Sequence, residues 1–500
     1  MTKYYCHYLL LMFAGLTASP VNASAEDPVN GQRYNVLFIA IDDLNDWVGC
    51  LGGNPQAITP NFDRFAREHA MVMSRAYCPS TVCGPTRSAL LTGKHATYTG
   101  VYGNAQNLKH APKAKNLETL PEYFGNRGYH TLSRGKIFHK HGDPNAPGGV
   151  DEGQWAFQEF VKAKGSNGPT LWEEKPTLDG IKSGGSPFAW GAVKGPTEKT
   201  KDYATCAWAA DQLQRDFDGK PFFMAVGISK PHLTWHVPQE FFDLYPLDEI
   251  QAAPFQHDDL NDIVRKDGKP IFKPTDRFLL ADGNDMHKQA NRAYLASVSY
   301  VDHSLGVLFD KLENSKYADN TIVMIWGDHG WHLSEKMHYG KTGLWEESAR
   351  VPFIVNVPGV TPPNAKCDGV VNLIDMYPTL LELCGLPPNP DNDGRSFAQL
   401  LRNPSMEWNH PTLTTYQFKN HSITDGRYRY TWYGGRAAGA EELYDHNTDP
   451  LEHTNLAGNS DYKEVIARLQ MHIPTHHEPN SPSNPHNALK NSKNQKRLNR

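Results

Sequence analysis

One stretch of this chain concentrates reactive chemistry: Cys83-Gly84-Pro85-Thr86-Arg87, followed by Leu91-Thr92-Gly93. It sets a polarisable nucleophile four positions ahead of an arginine. Pro85 suits the first turn of a helix, where the amide proton it lacks would have no partner. Cys83 then sits at a helix N-terminus. That end carries partial positive charge and free N–H groups, so it favours an anion, either a thiolate or a bound oxyanion. Arg87, one turn later, brings a cationic fork back toward the same point. A buried cysteine in front of an ordinary helix fits the spacing equally well.

Further charged groups follow short apolar runs. Asp42 and Asp43 end the run Val36–Ile41, and Asp328 and His329 follow the run Thr321–Trp326. Adjacent carboxylates aimed into one site repel unless a cation sits between them, and a hard divalent ion bound by oxygens is the natural answer. Asp42, Asp43 and Asp328 are the candidate oxygen ligands. His329 suits such an ion less well, so the residues alone leave a transition metal open. Lys136, His139, His232 and Lys341 each lie at or near a predicted strand end. A divalent ion with Arg87, Lys136 and Lys341 outweighs the three aspartates, which favours an anionic ester. A sulfate and a phosphate monoester satisfy that balance equally.

The elements that must position these groups alternate. Strands are expected at Val36–Ile41, Gly128–Ser133, Phe222–Val226, Thr321–Trp326 and Val351–Val357. Helices are expected at Leu117–Asn126, Ala290–Leu312 and Asp375–Leu383, the second with Tyr294, Leu295, Val298, Val301, Leu305, Leu308 and Leu312 on one stripe. This alternation predicts an α/β fold with a largely parallel sheet, which binds ligands at the carboxyl ends of its strands. Residues 140–200 and 251–284 read as long loops over that edge. From Met406 the pattern changes to short strands, Ser422–Thr424 and Tyr428–Tyr433, and a helix, Tyr462–His472.

Composition and the chain ends set limits. The 500 residues carry a net charge of −5, which gives no electrostatic case for nucleic acid. Residues 1–25 read as a signal peptide, with an apolar run Tyr8–Ala18 and a small-residue site at Ala23-Ser24-Ala25, so a secreted or periplasmic protein with no membrane span is expected. Cys367 and Cys384 flank one strand–helix unit and form the candidate disulfide among seven cysteines. Residues 480–500 read as a basic disordered tail.

The Cys83–Arg87 run resembles the sulfatase signature, Cys-x-Pro-Ser-Arg, with Thr86 keeping a hydroxyl where serine is commoner. Gly135-Lys136-Ile137-Phe138-His139, Lys230-Pro231-His232, Lys341 and Asp328-His329-Gly330-Trp331 resemble further elements of that family, the last in its iduronate-2-sulfatase-like subgroup. The resemblance covers residues 35–456. It implies an alkaline phosphatase/sulfatase-like α/β fold: a large mixed, mainly parallel sheet flanked by helices, catalytic over 26–405, with a smaller C-terminal α+β subdomain over 406–479. It implies that a maturation enzyme oxidises Cys83 to formylglycine (3-oxoalanine). It implies one Ca2+ held by Asp42, Asp43, residue 83, Asp328 and His329. Catalysis would then fall to Cys83, Arg87, Lys136, His139, His232 and Lys341, with Lys136, His232, Trp331 and Lys341 on the substrate. Trp235, His236 and Trp345 are further candidates for a sugar pocket. The implied substrate is a sulfated, uronate-containing carbohydrate. Phosphonate or phosphate monoester hydrolysis is the alternative within the superfamily. An inactive carbohydrate-binding relative is the other, although a binder has no need of the complete acid, lysine and histidine set.

Overall fold

The computed structural model describes residues 33–139, 153–163, 170–171, 188–265, 267–435 and 439–483. The expected signal peptide, and all of the expected tail beyond Ser483, lie outside the described residues. Among the described residues no helix is long and apolar enough to cross a membrane.

Eight strands form the main sheet: β1 (Asn35–Asp42), β2 (Met71–Met73), β3 (His130–Gly135), β4 (Glu159–Val161), β5 (Phe222–Pro231), β6 (Thr321–Gly327), β7 (Phe353–Asn356) and β8 (Ala365–Cys367). Their spatial order is β8-β2-β7-β6-β1-β5-β3-β4. The central pairs β1–β6, β1–β5, β5–β3 and β3–β4 are parallel, as expected. β7 pairs antiparallel with both β6 and β2, which makes the sheet mixed, as expected.

β1 shows why an unbroken apolar run belongs at the centre. Leu37, Ile39 and Ile41 face one core with the stripe of helix α2 (His287–Glu313). Val36, Phe38 and Ala40 face the other, with Leu90 and Leu91 of helix α1 (Cys83–Thr92) and Met376, Tyr377 and Leu380 of helix α3 (Met376–Leu383). Helices cover both faces, so neither face of the strand alternates with polar residues. The helix expected from Leu117 starts only at Leu120, where Thr119 and Glu122 close a reciprocal capping box. The loop expected over 251–284 contains one helix, Asp276–Gly283, capped by Thr275.

Cys367 and Cys384 are both buried free thiols, so the expected disulfide is not formed. Cys367 ends an outer strand of the sheet and Cys384 caps helix α3, where it meets Tyr129. Closeness in sequence placed them in one unit without bringing their side chains together.

A second sheet of four antiparallel strands follows: β9 (Thr412–Thr415), β10 (Asn420–Thr424), β11 (Tyr428–Tyr433) and β12 (Ala440–Asp445). A helix, Lys463–Gln470, packs on it through Leu469. Arg429 of β11, fully buried, clamps this sheet to the larger one. It bonds Glu452 at 2.8 Å and reaches Glu346, which lies shortly before β7. Burial alone would raise the Glu346 carboxyl, but Arg429 outweighs it and holds the group down to about 2. The clamp therefore contributes its full stability above the ordinary glutamate range of about 4.3 and loses it as pH falls toward 2. Arg429→Ala strands two acids, and at neutral pH it is expected to cost about 3–5 kcal/mol. Denaturant midpoints should show this deficit shrinking at acid pH, where the stranded glutamate protonates. A deficit constant with pH would assign the loss to packing instead.

Candidate active site

Asp42 is the last residue of β1, and the register with β5 shifts between Ile41 and Asp42. Asp43 follows with φ of 62°. Successive side chains on a regular strand point to opposite faces. The register shift and the left-handed residue break that alternation, so both carboxylates enter one cluster. Aspartate tolerates this backbone better than most residues. The Tyr294 hydroxyl of α2 fixes the turn, donating to the Asp43 carbonyl at 2.8 Å and accepting from Asn45 N–H at 2.9 Å.

Four other elements converge on the pair. β6 ends at Gly327 and delivers Asp328 and His329, both fully buried. Helix α1 begins at Cys83, and its N-terminal Gly84 N–H is capped from a distance by Asn104 Oδ1 at 2.7 Å. The Thr86 hydroxyl donates to the Ser80 carbonyl, a bond that any residue with a hydroxyl there can make. β3 ends at Gly135 and presents Lys136. Gly135 has φ of +88°, and a Cβ there would stand 1.9 Å from the Gly227 carbonyl oxygen of β5. Only glycines let these strand ends approach so closely.

Arg87 joins these elements. It is fully buried, donates from Nε to Asp328 at 2.8 Å, and donates from Nη1 to the carbonyls of Lys136 and Ile137, the latter at 3.0 Å. Lys136 pairs with Asp42. Lys341 Nζ stands 2.5 Å from Asp43 Oδ1 and 2.8 Å from Cys83 Sγ. Burial raises both carboxyls, but the surrounding cations outweigh it. Lys136, His232 and Arg87 hold Asp42 well below the usual range, and His232 and Lys341 lower Asp43.

His329 Nδ1 lies 3.0 Å from the Gly330 carbonyl, which can only accept, so Nδ1 carries the proton. Its Nε2 lone pair therefore faces Cys83 Sγ at 3.2 Å and carboxylate oxygens of Asp43 and Asp328 at 3.5 Å. His232 is oriented the same way by the Leu233 carbonyl at 2.6 Å, leaving Nε2 at 3.8 Å from Asp43 Oδ2. Lys230 Nζ bonds the carbonyls of Thr234 and His232, so it organises the turn that carries His232.

This donor set fits a divalent cation. Ligand atoms of Asp42, Cys83, Asp328 and His329 lie within 4.8 Å of one another, as do those of Asp42, Asp43 and His232. Asp42 Oδ1 and Asp43 Oδ2 are buried acceptors with no hydrogen-bond donor. Such oxygens are costly to bury unless a charge faces them.

The Cys83 thiol is not a thiolate here. Burial, then Asp42, push it up to about 12 against Lys136 and Lys341. Of the two anions that such a helix end favours, this dry, carboxylate-flanked setting disfavours the thiolate.

The remaining candidates divide. Trp331 is buried beside Lys341, whose Nζ is 5.7 Å from the ring centroid. His139 is half-buried, three residues past Lys136. Trp235 and Trp345 are packing residues: Trp235 is wedged against Trp190 and Tyr294, and the Trp345 indole donates to Glu442 at 2.8 Å. His236 is half-buried and bonded to the Thr234 hydroxyl at 2.6 Å. Asn104, Tyr294 and Lys230 support the site without a spacing that would single out the first two in sequence.

Comparison with known proteins agrees with this geometry. A sulfatase family profile matches residues 34–386, and a profile described as N-sulphoglucosamine sulphohydrolase, C-terminal, matches 327–478. A sulfatase of Formosa agariphila is 36% identical over 483 residues, covering 93% of this chain and 91% of the relative. Mouse iduronate 2-sulfatase is 27% identical over 523 residues, covering 87% and 93%. The crystal structure of the phosphonate monoester hydrolase of Agrobacterium radiobacter superposes with a TM-score of 0.68 at 21% identity, covering 88% of this chain and 94% of that one. The chain thus belongs to the sulfatase family and is a sulfuric ester hydrolase.

Proposed function

We propose that this enzyme removes sulfate from a sulfated, uronate-containing glycan, with formylglycine at position 83 and one Ca2+ beside it. The observation that carries the reading is the setting of Cys83. Its Sγ stands 2.8 Å from Lys341 Nζ and 3.2 Å from His329 Nε2, at the head of a buried helix, with its proton firmly held. A neutral thiol is a poor nucleophile and a poor ligand. The surroundings suit an oxygen nucleophile instead. When bound, the two groups would supply a hydrated aldehyde as nucleophile and a divalent charge on the sulfuryl oxygens. Asp42, Asp43, Asp328 and His329 would hold the ion together with residue 83, and a formylglycine-generating enzyme would be the maturation partner.

The chain's own side chains do the rest. Lys341, against residue 83, and Lys136, against Asp42, hold the anionic oxygens of the ester. Arg87, locked by Asp328 and two carbonyls, keeps the helix head in register with the acids. In its imidazolium form, with Nδ1–H still held by the Leu233 carbonyl, His232 projects Nε2–H into the cluster and gives that proton to the departing sugar oxygen. His139 receives the proton of the later, sulfate-expelling step. The glycan assignment rests on the likeness to iduronate 2-sulfatase and on the Asp328–Trp331 run. Export rests on the leader-like residues 1–25. The phosphonate hydrolase shares the fold, so sulfate and phosphonate monoesters belong in one assay.

Three outcomes are expected. Mass spectrometry of the tryptic peptide holding Cys83, from protein made in its native host, should show formylglycine. Unmodified cysteine in fully active protein would sink the mechanism. His232→Ala should lower kcat on a sugar sulfate by about 100- to 10,000-fold. It should cost far less on 4-nitrophenyl sulfate, whose leaving group needs no proton, and equal losses would deny the histidine that role. Calcium at 100 times its Kd should stabilise the fold by about 2.7 kcal/mol in calorimetry, and Asp42→Asn should abolish the shift.

A further inference from the structure

Outside the catalytic cluster, three histidines from distant parts of the chain come together beside the second sheet. His421 lies in β10 and has no exposed surface. Its Nε2 stands 2.8 Å from Nε2 of His477, which belongs to the segment after the last helix. His95 precedes the short helix Ala96–Thr99, and its Nδ1 is buried with no hydrogen-bond partner. The backbone joins the segments of His95 and His477. Glu478 N–H, next to His477, donates to the carbonyl of Thr97, two residues past His95, at 2.7 Å. His95 is also close enough to oppose a charge on His421.

The setting keeps these rings neutral. Burial, then His477 and His95, bring His421 down to about 3. Burial lowers His95 and His477 as well. Asp393 is the acid near His95, and it already accepts from Lys94 Nζ at 2.8 Å and from the His95 amide at 3.1 Å. A neutral imidazole keeps a lone pair on one nitrogen, which is the form that binds a metal. His421 is held as a ligand would be: its Nδ1 meets the Thr415 hydroxyl at 3.0 Å, and its ring lies parallel to that of Trp432.

Two arrangements bring a pair of Nε2 atoms so close. One is a shared proton, N–H···N. The other is a metal ion between them. Tetrahedral Zn2+, with Zn–N of about 2.0–2.1 Å, sets its nitrogens about 3.3 Å apart, about 0.5 Å beyond the 2.8 Å seen. A small turn of His477, half-buried on its terminal segment, covers that difference. The His95 nitrogen separates the two. A proton shared by two rings leaves it stranded, whereas an ion gives it a partner.

We infer that His95, His421 and His477 form a site for a borderline divalent transition metal such as Zn2+, and that this ion fastens the C-terminal segment to the catalytic domain. Imidazole ligands select such an ion over Ca2+, so the site differs in chemistry from the Asp42–Asp43 cluster. Its effect reaches the Cys83 helix. The same segment accepts from the Tyr102 hydroxyl through the Glu478 carbonyl at 2.9 Å, and donates from Ser481 N–H to the Gly100 carbonyl at 2.8 Å. Asn104, two residues past Tyr102, caps Gly84 N–H. The ion thus braces the loop that holds the helix head.

The test strips the full chain with chelator, refills it with excess Ca2+ and equilibrates it with Zn2+. Zinc per chain is then counted by elemental mass spectrometry, and melting midpoints are read with and without zinc. Wild type should hold about one Zn2+ more than His477→Gln and His95→Gln, and zinc should raise its midpoint but not theirs. Glutamine keeps a hydrogen-bonding side chain but is a far weaker ligand for zinc than imidazole. The two variants lie on different segments, and each should melt cooperatively without zinc, so a folding defect in one leaves the other to decide. A zinc count in either folded variant equal to that of wild type overturns the three-histidine site. A wild type that takes up no zinc also overturns it, and assigns the 2.8 Å approach to a shared proton.

Discussion

Two adjacent aspartates buried at the end of a central strand constrain everything around them. Asp42 and Asp43 are 2% and 0% exposed. Each would be protonated by burial alone, and each would raise the other. Instead both are lowered, because Lys136, Lys341, Arg87 and His232 are brought against them from different parts of the chain. The order of the sheet follows from this need. β3, β5 and β6 lie on either side of β1, so their carboxyl ends deliver lysine, histidine and acid to one point.

Charge balance also explains the rigidity of the support. Arg87 has no exposed surface and makes contacts that join the helix head, the β3 end and the β6 end. Removing it would leave Asp328 buried without its partner, the costly case for a buried ion pair. Gly135 and Gly227 let the β3 and β5 ends come into backbone contact, where a side chain would push Lys136 away. The site is thus set by backbone packing as much as by the reactive side chains.

Much of this was legible in the sequence because the signals are local. An apolar run that stops at a pair of acids marks a buried strand and its functional end, and Val36–Ile41 and Thr321–Trp326 both do so. The helix of His287–Glu313 was visible from its stripe. What escaped depends on distant contacts. Nothing in the sequence shows that Asn104 caps the Cys83 helix or that Tyr294 pins the Asp43 carbonyl, since both are tertiary hydrogen bonds. The direction of β7 escaped for the same reason, because an apolar strand reads alike in either orientation. The Cys367–Cys384 pairing failed because proximity along the chain does not set the direction of two side chains.

The state of Cys83 shows how magnitudes decide between two sound arguments. A helix N-terminus stabilises an anion by typically 0.3–1 kcal/mol, and by about 2 in favourable geometry. Moving a thiol from 9 to about 12 corresponds to about 4 kcal/mol in the opposite direction. Desolvation and the Asp42 charge therefore win over the dipole. The same surroundings that hold the proton on sulfur set Lys341 Nζ 2.8 Å from it and bring Lys136 against the neighbouring Asp42. A soft, neutral thiol uses none of this well. A hard oxygen at position 83, facing hard oxygens at Asp42, Asp43 and Asp328, would use all of it. The encoded cysteine is therefore poorly matched to its own environment, which supports the conversion proposed for it.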